Sequence, residues 1–176
     1  MTSSIPSAVT HITSRDNPLL KELRKLSADT TAYRKQGHFW VEGDHLCEAA
    51  LLRGLKPKIA VFSDQYWPLS PVGYARVAIK TIVIPDGLFK ELSGLESPAR
   101  LGFVLDLPRD AALQPLAATV ILDRVQDAGN VGSILRSAGA FGFRQVVALR
   151  GTAALWSPKV LRAVLGEHVG LSLLEG

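Results

Sequence analysis

Two polar side chains stand where a buried strand passes into a helix: Asn130 and Arg136, in the run ILDRVQDAGNVGSILRSAGAFGF over residues 121–143. An arginine there offers a planar fork of donors that suits phosphate and other oxyanions. A helix N-terminus at the carboxyl end of a strand is also where α/β sheets bind anions and ligands. A second set of cations, Arg15, Lys21, Arg24 and Arg34, lies near the start of the chain. Such residues can follow a nucleic-acid backbone without reading its bases. Each feature has a plainer alternative. Asn130 could simply cap the helix. Arg136 could be a surface residue of a tightly packed helix, and the early cations a solvated face.

The elements that must hold these residues follow from periodicity. Val120, Ile121 and Leu122 form an apolar run, and such a run feeding a helix suggests a parallel sheet covered on both faces. Val131, Ile134, Leu135, Ala138 and Phe141 recur at helical spacing until Gly142. Gly132, Arg136 and Gly139 share another face, which reads either as close helix packing or as a glycine floor from which one guanidinium projects. Residues 144–149 read as a second strand, Ser157-Pro158 starts a helix stopped at Gly166, and residues 168–174 read as a third strand. The second half is therefore β-α-β-α-β.

The first half alternates strands and helices as well, so it reads as a small α/β domain. Asn17-Pro18 is a helix start, with Leu19, Leu20, Leu23 and Leu26 as its inward stripe. Gly37 breaks that helix. Short strands are expected at 38–43, 58–62, 77–84 and 101–105, and helices at 44–53 and from Asp86. Residues 1–11 read as a flexible tail, 12–107 as the first domain, 108–116 as a linker and 117–176 as the second domain.

Bulk properties bound the function more loosely. The chain has 176 residues, 47% of them hydrophobic, and a net charge of +4, a basic excess that permits a nucleic-acid partner without requiring one. Cys47 is the single cysteine, which excludes an intramolecular disulfide or a thiolate metal site and fits a small core residue. The four histidines are scattered, so no metal is expected. No secretory leader or membrane-length apolar run is evident, and the default location is the cytoplasm.

The run LDRVQDAGNVGSILRSAGAFG resembles the first signature motif of the SpoU/TrmH branch of the SPOUT RNA methyltransferases. Asp123, Asn130, Gly132, Arg136, Ala138, Ala140, Phe141 and Gly142 carry the match, with Ala128 where that family often has proline. The first half is similar to the family's N-terminal substrate-binding domain, built like a small RNA-binding ribosomal protein. There the match lies in ITSRDNPLLKELRKL, Arg34 and GHFWVEGDHLCEA. The resemblance implies a ribosomal-protein-like α/β substrate-binding domain, then the first part of a parallel-sheet α/β-knot methyltransferase domain.

It implies further that S-adenosylmethionine supplies a methyl group to rRNA or tRNA, most often at a ribose 2′-oxygen, with no metal. Arg136 and Asn130 would be the catalytic pair. Arginine keeps its proton in water, so the preferred role for Arg136 is to stabilise the developing alkoxide and place phosphate, with the general base as its alternative role, while Asn130 would cap the helix and position Arg136. Arg15, Asn17, Lys21, Arg24 and Arg34 would meet RNA, and Glu42 would be structural. Val164 and Glu167 depart from the family pattern, and the Gly-rich and Ser-Leu-Asn motifs of the cofactor knot are not found before Gly176. Cofactor-binding residues are thus expected beyond Gly176, and a homodimer is expected of the complete protein. Two rivals remain. One is a noncatalytic RNA-binding or assembly module. The other, a dinucleotide-binding enzyme, is disfavoured because no G-x-G-x-x-G occurs and Asp123 precedes the loop instead of following it.

Overall fold

The computed structural model describes residues 8–108, 111–164 and 171–176. The chain divides into two compact units, Met1–Asp106 and Leu107–Gly176.

The first unit contains β1 (Val9–His11), α1 (Pro18–Ala28), α2 (Ala32–Gln36), β2 (His38–Glu42), α3 (Asp44–Leu52), β3 (Ile59–Ser63), β4 (Lys80–Ile84), α4 (Asp86–Leu92) and β5 (Leu101–Asp106). Its sheet runs β1-β4-β3-β5-β2. β1, β4 and β3 are parallel, whereas β5 is antiparallel to both β3 and β2. Helix α1 starts as its sequence requires: Asn17 Oδ1 accepts from Leu19 N at 2.9 Å, and Leu20, Leu23 and Leu26 are buried. Leu19, expected inward, is only partly buried.

Three expectations need correction here. The helix from Asn17 does not continue to Gly37. It stops at Asp29, whose Oδ1 accepts from Thr31 N and Thr31 Oγ1, and those bonds hold its carboxyl below the usual range. A separate helix α2 then ends at Gly37, which takes φ 71°. Residues 9–11, expected in the tail, pair with Thr81–Val83 of β4; three residues are too few to show a two-residue alternation. The fourth strand opens at Lys80 rather than at 77, because Tyr74–Arg76 form a 3-10 turn.

The core of this unit holds Trp40, Phe62, Phe89 and Phe103. Gly102, opposite Glu42 in the β2–β5 pairing, leaves room for the ring of Trp40, which a Cβ at that position would overlap.

The second unit contains β6 (Thr119–Leu122), α5 (Ala128–Ala140), β7 (Gln145–Ala148), α6 (Pro158–Val164) and β8 (Ser172–Glu175). The β-α-β-α-β order is as expected. The three strands are parallel in the order β6-β7-β8, with Leu122 opposite Ala148 and Ala148 opposite Glu175. Right-handed crossovers in a sheet that grows in one direction place both helices on the same face. Leu122, Val146, Ala148, Leu171 and Leu173 accordingly share one core with Val131, Leu135 and Ala138 of α5 and Val160 and Val164 of α6. The expected cover on both faces is not found among the described residues. Ile121 is 63% exposed, and Val147 and Leu174, which continue its row across the sheet, are only partly buried. Gly166, Glu167 and His168 lie outside the described residues, as do Arg109 and Asp110 of the linker.

Candidate functional site

The N-terminus of α5 is built by Asp127, not by Asn130. Asp127 Oδ1 accepts from Asn130 N at 2.7 Å, and the helix begins at Ala128. Asn130 therefore occupies the first turn with an exposed side chain. The expected cap was displaced by three residues because the aspartate, with extended backbone at φ −80° and ψ 120°, meets the geometry of a cap. The D-A-G-N spelling carried that signal, since an Asp three residues before a free N–H can reach it.

The glycine floor also needs correction. Gly132 is buried, and a Cβ there would overlap the methyl of Ala163 on α6. Its bareness serves helix–helix contact. Gly139 sits 3.8 Å, measured from a built Cβ, from a methyl of Leu171. What remains exposed on α5 is Gly129, Asn130, Ser133, Arg136, Ser137 and Ala140. Asn130 and Arg136 thus share the solvent side of one helix, separated by about 9 Å of rise. Arg136 takes part in an interaction of its own, so it is an exposed but engaged cation.

The strand ends beside α5 are tied together. Leu122 O accepts from Leu149 N at 2.8 Å and from Thr152 Oγ1 at 3.1 Å. Val125 O accepts from Ala153 N at 2.8 Å, and Glu175 Oε1 accepts from Leu155 N at 2.8 Å. Each strand of the parallel sheet therefore helps to hold the loop of residues 149–157. The carboxyl end of the sheet is therefore braced, and α5 starts beside it before packing back across one face.

In the first unit the expected RNA-binding residues fall into two groups. Arg15 Nε donates to Glu91 Oε2 at 3.0 Å, Arg24 Nη1 lies 3.7 Å from the same oxygen, and Arg24 Nη2 donates to Arg15 O at 2.7 Å. These two arginines converge on one carboxylate and join α1 to α4. Asn17 is occupied as the cap of α1. Lys21 and Arg34 are exposed, and the guanidinium carbon of Arg34 lies 5.6 Å from the Tyr33 ring centre. Sequence reasoning missed Lys58, which with Lys35 and His38 rims a cleft floored by Leu23, Leu26 and Val104. Their distance in sequence hid the pairing.

Glu42 is structural, as expected: it is buried, and its Oε1 accepts from Gly94 N at 3.0 Å. Cys47 is fully buried, and desolvation with nearby Asp44 and Glu42 pushes its thiol well above the ordinary range. Burial and a hydrogen bond with Asp44 push the Tyr66 phenol up to about 12. Among the described residues no group of three or more His, Cys, Asp or Glu could hold a metal, and no helix is long and apolar enough to cross a membrane.

Residues 117–175 match the profile of the SpoU rRNA Methylase family, and residues 17–101 match the MRM3-like substrate binding domain. The second unit thus carries the SpoU methylase match, and the first unit the substrate-binding one. The two matches fall one in each compact unit, in the order the resemblance implied. The chain is 36% identical over 158 residues to rRNA methyltransferase 3A, mitochondrial, of Danio rerio, covering 82% of this chain and 35% of the relative. It is 30% identical to the 23S rRNA (guanosine(2553)-2′-O)-methyltransferase RlmP of Bacillus subtilis, covering 93% of this chain and 64% of that protein. The chain therefore spans between about a third and two-thirds of these relatives.

The fold agrees as well. An rRNA methyltransferase from Sinorhizobium meliloti superposes with a TM-score of 0.75 at 24% identity, over 96% of this chain and 65% of that one. An RNA 2′-O ribose methyltransferase superposes with a TM-score of 0.67 at 27% identity, over 95% of this chain and 66% of that one.

Proposed function

We propose that the chain is the RNA-binding unit and the first catalytic segment of an S-adenosylmethionine-dependent RNA methyltransferase acting on rRNA at a ribose 2′-oxygen. The observation that carries this reading is the solvent side of α5, which exposes both Asn130 and Arg136. Support comes from the RlmP relative, whose name states a 2′-O-methyltransferase of 23S rRNA, and from the AdoMet-bound form of the Sinorhizobium protein. Bacterial relatives favour the cytoplasm, though others are named mitochondrial. A homodimer is part of the proposal.

A sulfonium donor supplies an activated methyl group and needs no metal. No residue here is assigned to the donor. The chain's own residues act on the acceptor. As the ribose hydroxyl gives up its proton to solvent, negative charge grows on oxygen, and Arg136 stabilises that charge and holds the adjacent phosphate. Asn130, freed from capping by Asp127, orients the sugar from the first turn of α5. Lys21 and Arg34, with Lys35 and Lys58, draw the RNA backbone to the first unit, and Arg15, Asn17 and Arg24 form the fixed edge of that surface.

The test is transfer of labelled methyl to rRNA by a form carrying the whole catalytic domain of its relatives. Arg136→Ala should lower turnover by about a hundred- to a thousand-fold, as loss of an oxyanion donor does, with the fold and most RNA affinity retained. Full turnover in that variant sinks the assignment. Retained RNA binding with no heat on S-adenosylmethionine titration of that same form would favour the noncatalytic module instead.

A further inference from the structure

Arg124 is the one non-glycine residue with positive φ among the described residues, at 55°. It directly follows Asp123, past the carboxyl end of β6. That conformation is unfavourable for a side chain with a Cβ and is ordinarily left to Gly, Asn or Asp. Its side chain is 73% exposed, so burial does not offset the strain. Strain of this kind gathers at functional sites.

Three features hold the guanidinium in one place. Nε donates to Asp123 Oδ1 and Nη2 to Asp123 Oδ2, both at 3.0 Å, so the carboxylate takes one edge of the fork. The stem crosses Gly151, where a built Cβ would stand 3.0 Å from Arg124 Cγ. Gly151 itself has φ 90°, and its loop is tied to β6 through the Leu122 carbonyl and to the turn after it through that of Val125. The remaining nitrogen, Nη1, has no hydrogen-bond partner among the described residues. Arg150 adds a second exposed cation beside Gly151.

We propose that Arg124 binds a phosphodiester of the RNA strand at the carboxyl end of the second unit's sheet, with Asp123 and Gly151 fixing the guanidinium so that its Nη1 edge faces the phosphate. This rests on the reading of RNA as the substrate and adds a contact outside the Asn130–Arg136 pair. An arginine already held in plane loses little freedom on binding. The charge pair with Asp123 is exposed, so solvent screens the carboxylate's repulsion of a phosphate at the opposite edge.

The experiment measures binding of a fluorescent RNA hairpin across a salt series for the chain, for Arg124→Gly, for Gly151→Ala and for the double variant. Arg124→Gly should weaken binding and reduce the slope of log affinity against log salt by about one. Thermal stability should stay equal or rise, because glycine relieves the φ strain. Gly151→Ala should weaken binding when Arg124 is present and add nothing when it is absent. An unchanged slope in Arg124→Gly, or a loss of stability, overturns the phosphate contact while leaving the RNA reading intact. A parent chain without salt-dependent RNA binding overturns both.

Discussion

The α-carbon of Gly132 faces the methyl group of Ala163, with no room for a side chain between α5 and α6. A Gly132→Ala change gains helix propensity worth about 1 kcal/mol. It also forces the two helices apart, and overpacking of this kind costs about 1–3 kcal/mol. The net expectation is destabilisation, read as a lower urea midpoint with an unchanged slope. A more stable variant would mean that the contact is slack.

Asp127 and Asn130 should separate cleanly in stability. Asp127→Ala removes the cap of α5 and should cost about 0.5–2 kcal/mol. Asn130→Ala, at an exposed first-turn position, should stay within about 0.5 kcal/mol while lowering methyl transfer. Urea unfolding of both variants beside the transfer assay checks the division of labour. Equal losses of stability would return Asn130 to a structural role.

Glu91 restrains the charge of Arg15 and Arg24. Exposed pairs contribute about 0–1 kcal/mol, so Glu91→Gln should barely alter unfolding. Removing one negative charge beside the two arginines should tighten RNA binding and steepen its salt dependence. Weaker binding would show that the pairs position the arginines for RNA rather than hold them from it.

Tyr66 sets an alkaline limit. Its phenol ordinarily ionises at 10.0 and is raised to about 12 in the folded chain, first by desolvation and then by Asp44. The folded state therefore keeps a proton that the unfolded state releases. The resulting stability is complete below pH about 10 and is lost as pH rises towards about 12. Tyr74 is raised in the same direction. Tyr66→Phe should flatten the fall of stability across that window. The matching optical signature is one phenolate whose absorbance appears only near pH 12.

Much of the architecture could be read from spacing. The alternation of apolar runs and helical stripes gave two α/β units, and Asn17-Pro18 marked the start of α1. The D-A-G-N-V-G run located α5, but its glycines were ambiguous, since bare faces serve ligands and neighbouring helices alike; Ala163 resolved Gly132 only in three dimensions. The break between α1 and α2 was hidden because it depends on a side-chain turn at Asp29, and β1 because three residues carry no period. Arg124 had no sequence signal at all, as backbone handedness at an arginine is set by the loop around it. The Arg15–Glu91 and Lys35–Lys58 juxtapositions join distant segments that periodicity cannot relate.

Cys47 has a practical consequence. It is the only thiol in the chain, it is sealed within the first unit, and burial keeps it protonated. A thiol-reactive dye can therefore reach it only when that unit opens. The labelling rate becomes a built-in clock for excursions of the first unit alone, silent to breathing of the second, and readable without introducing any reporter.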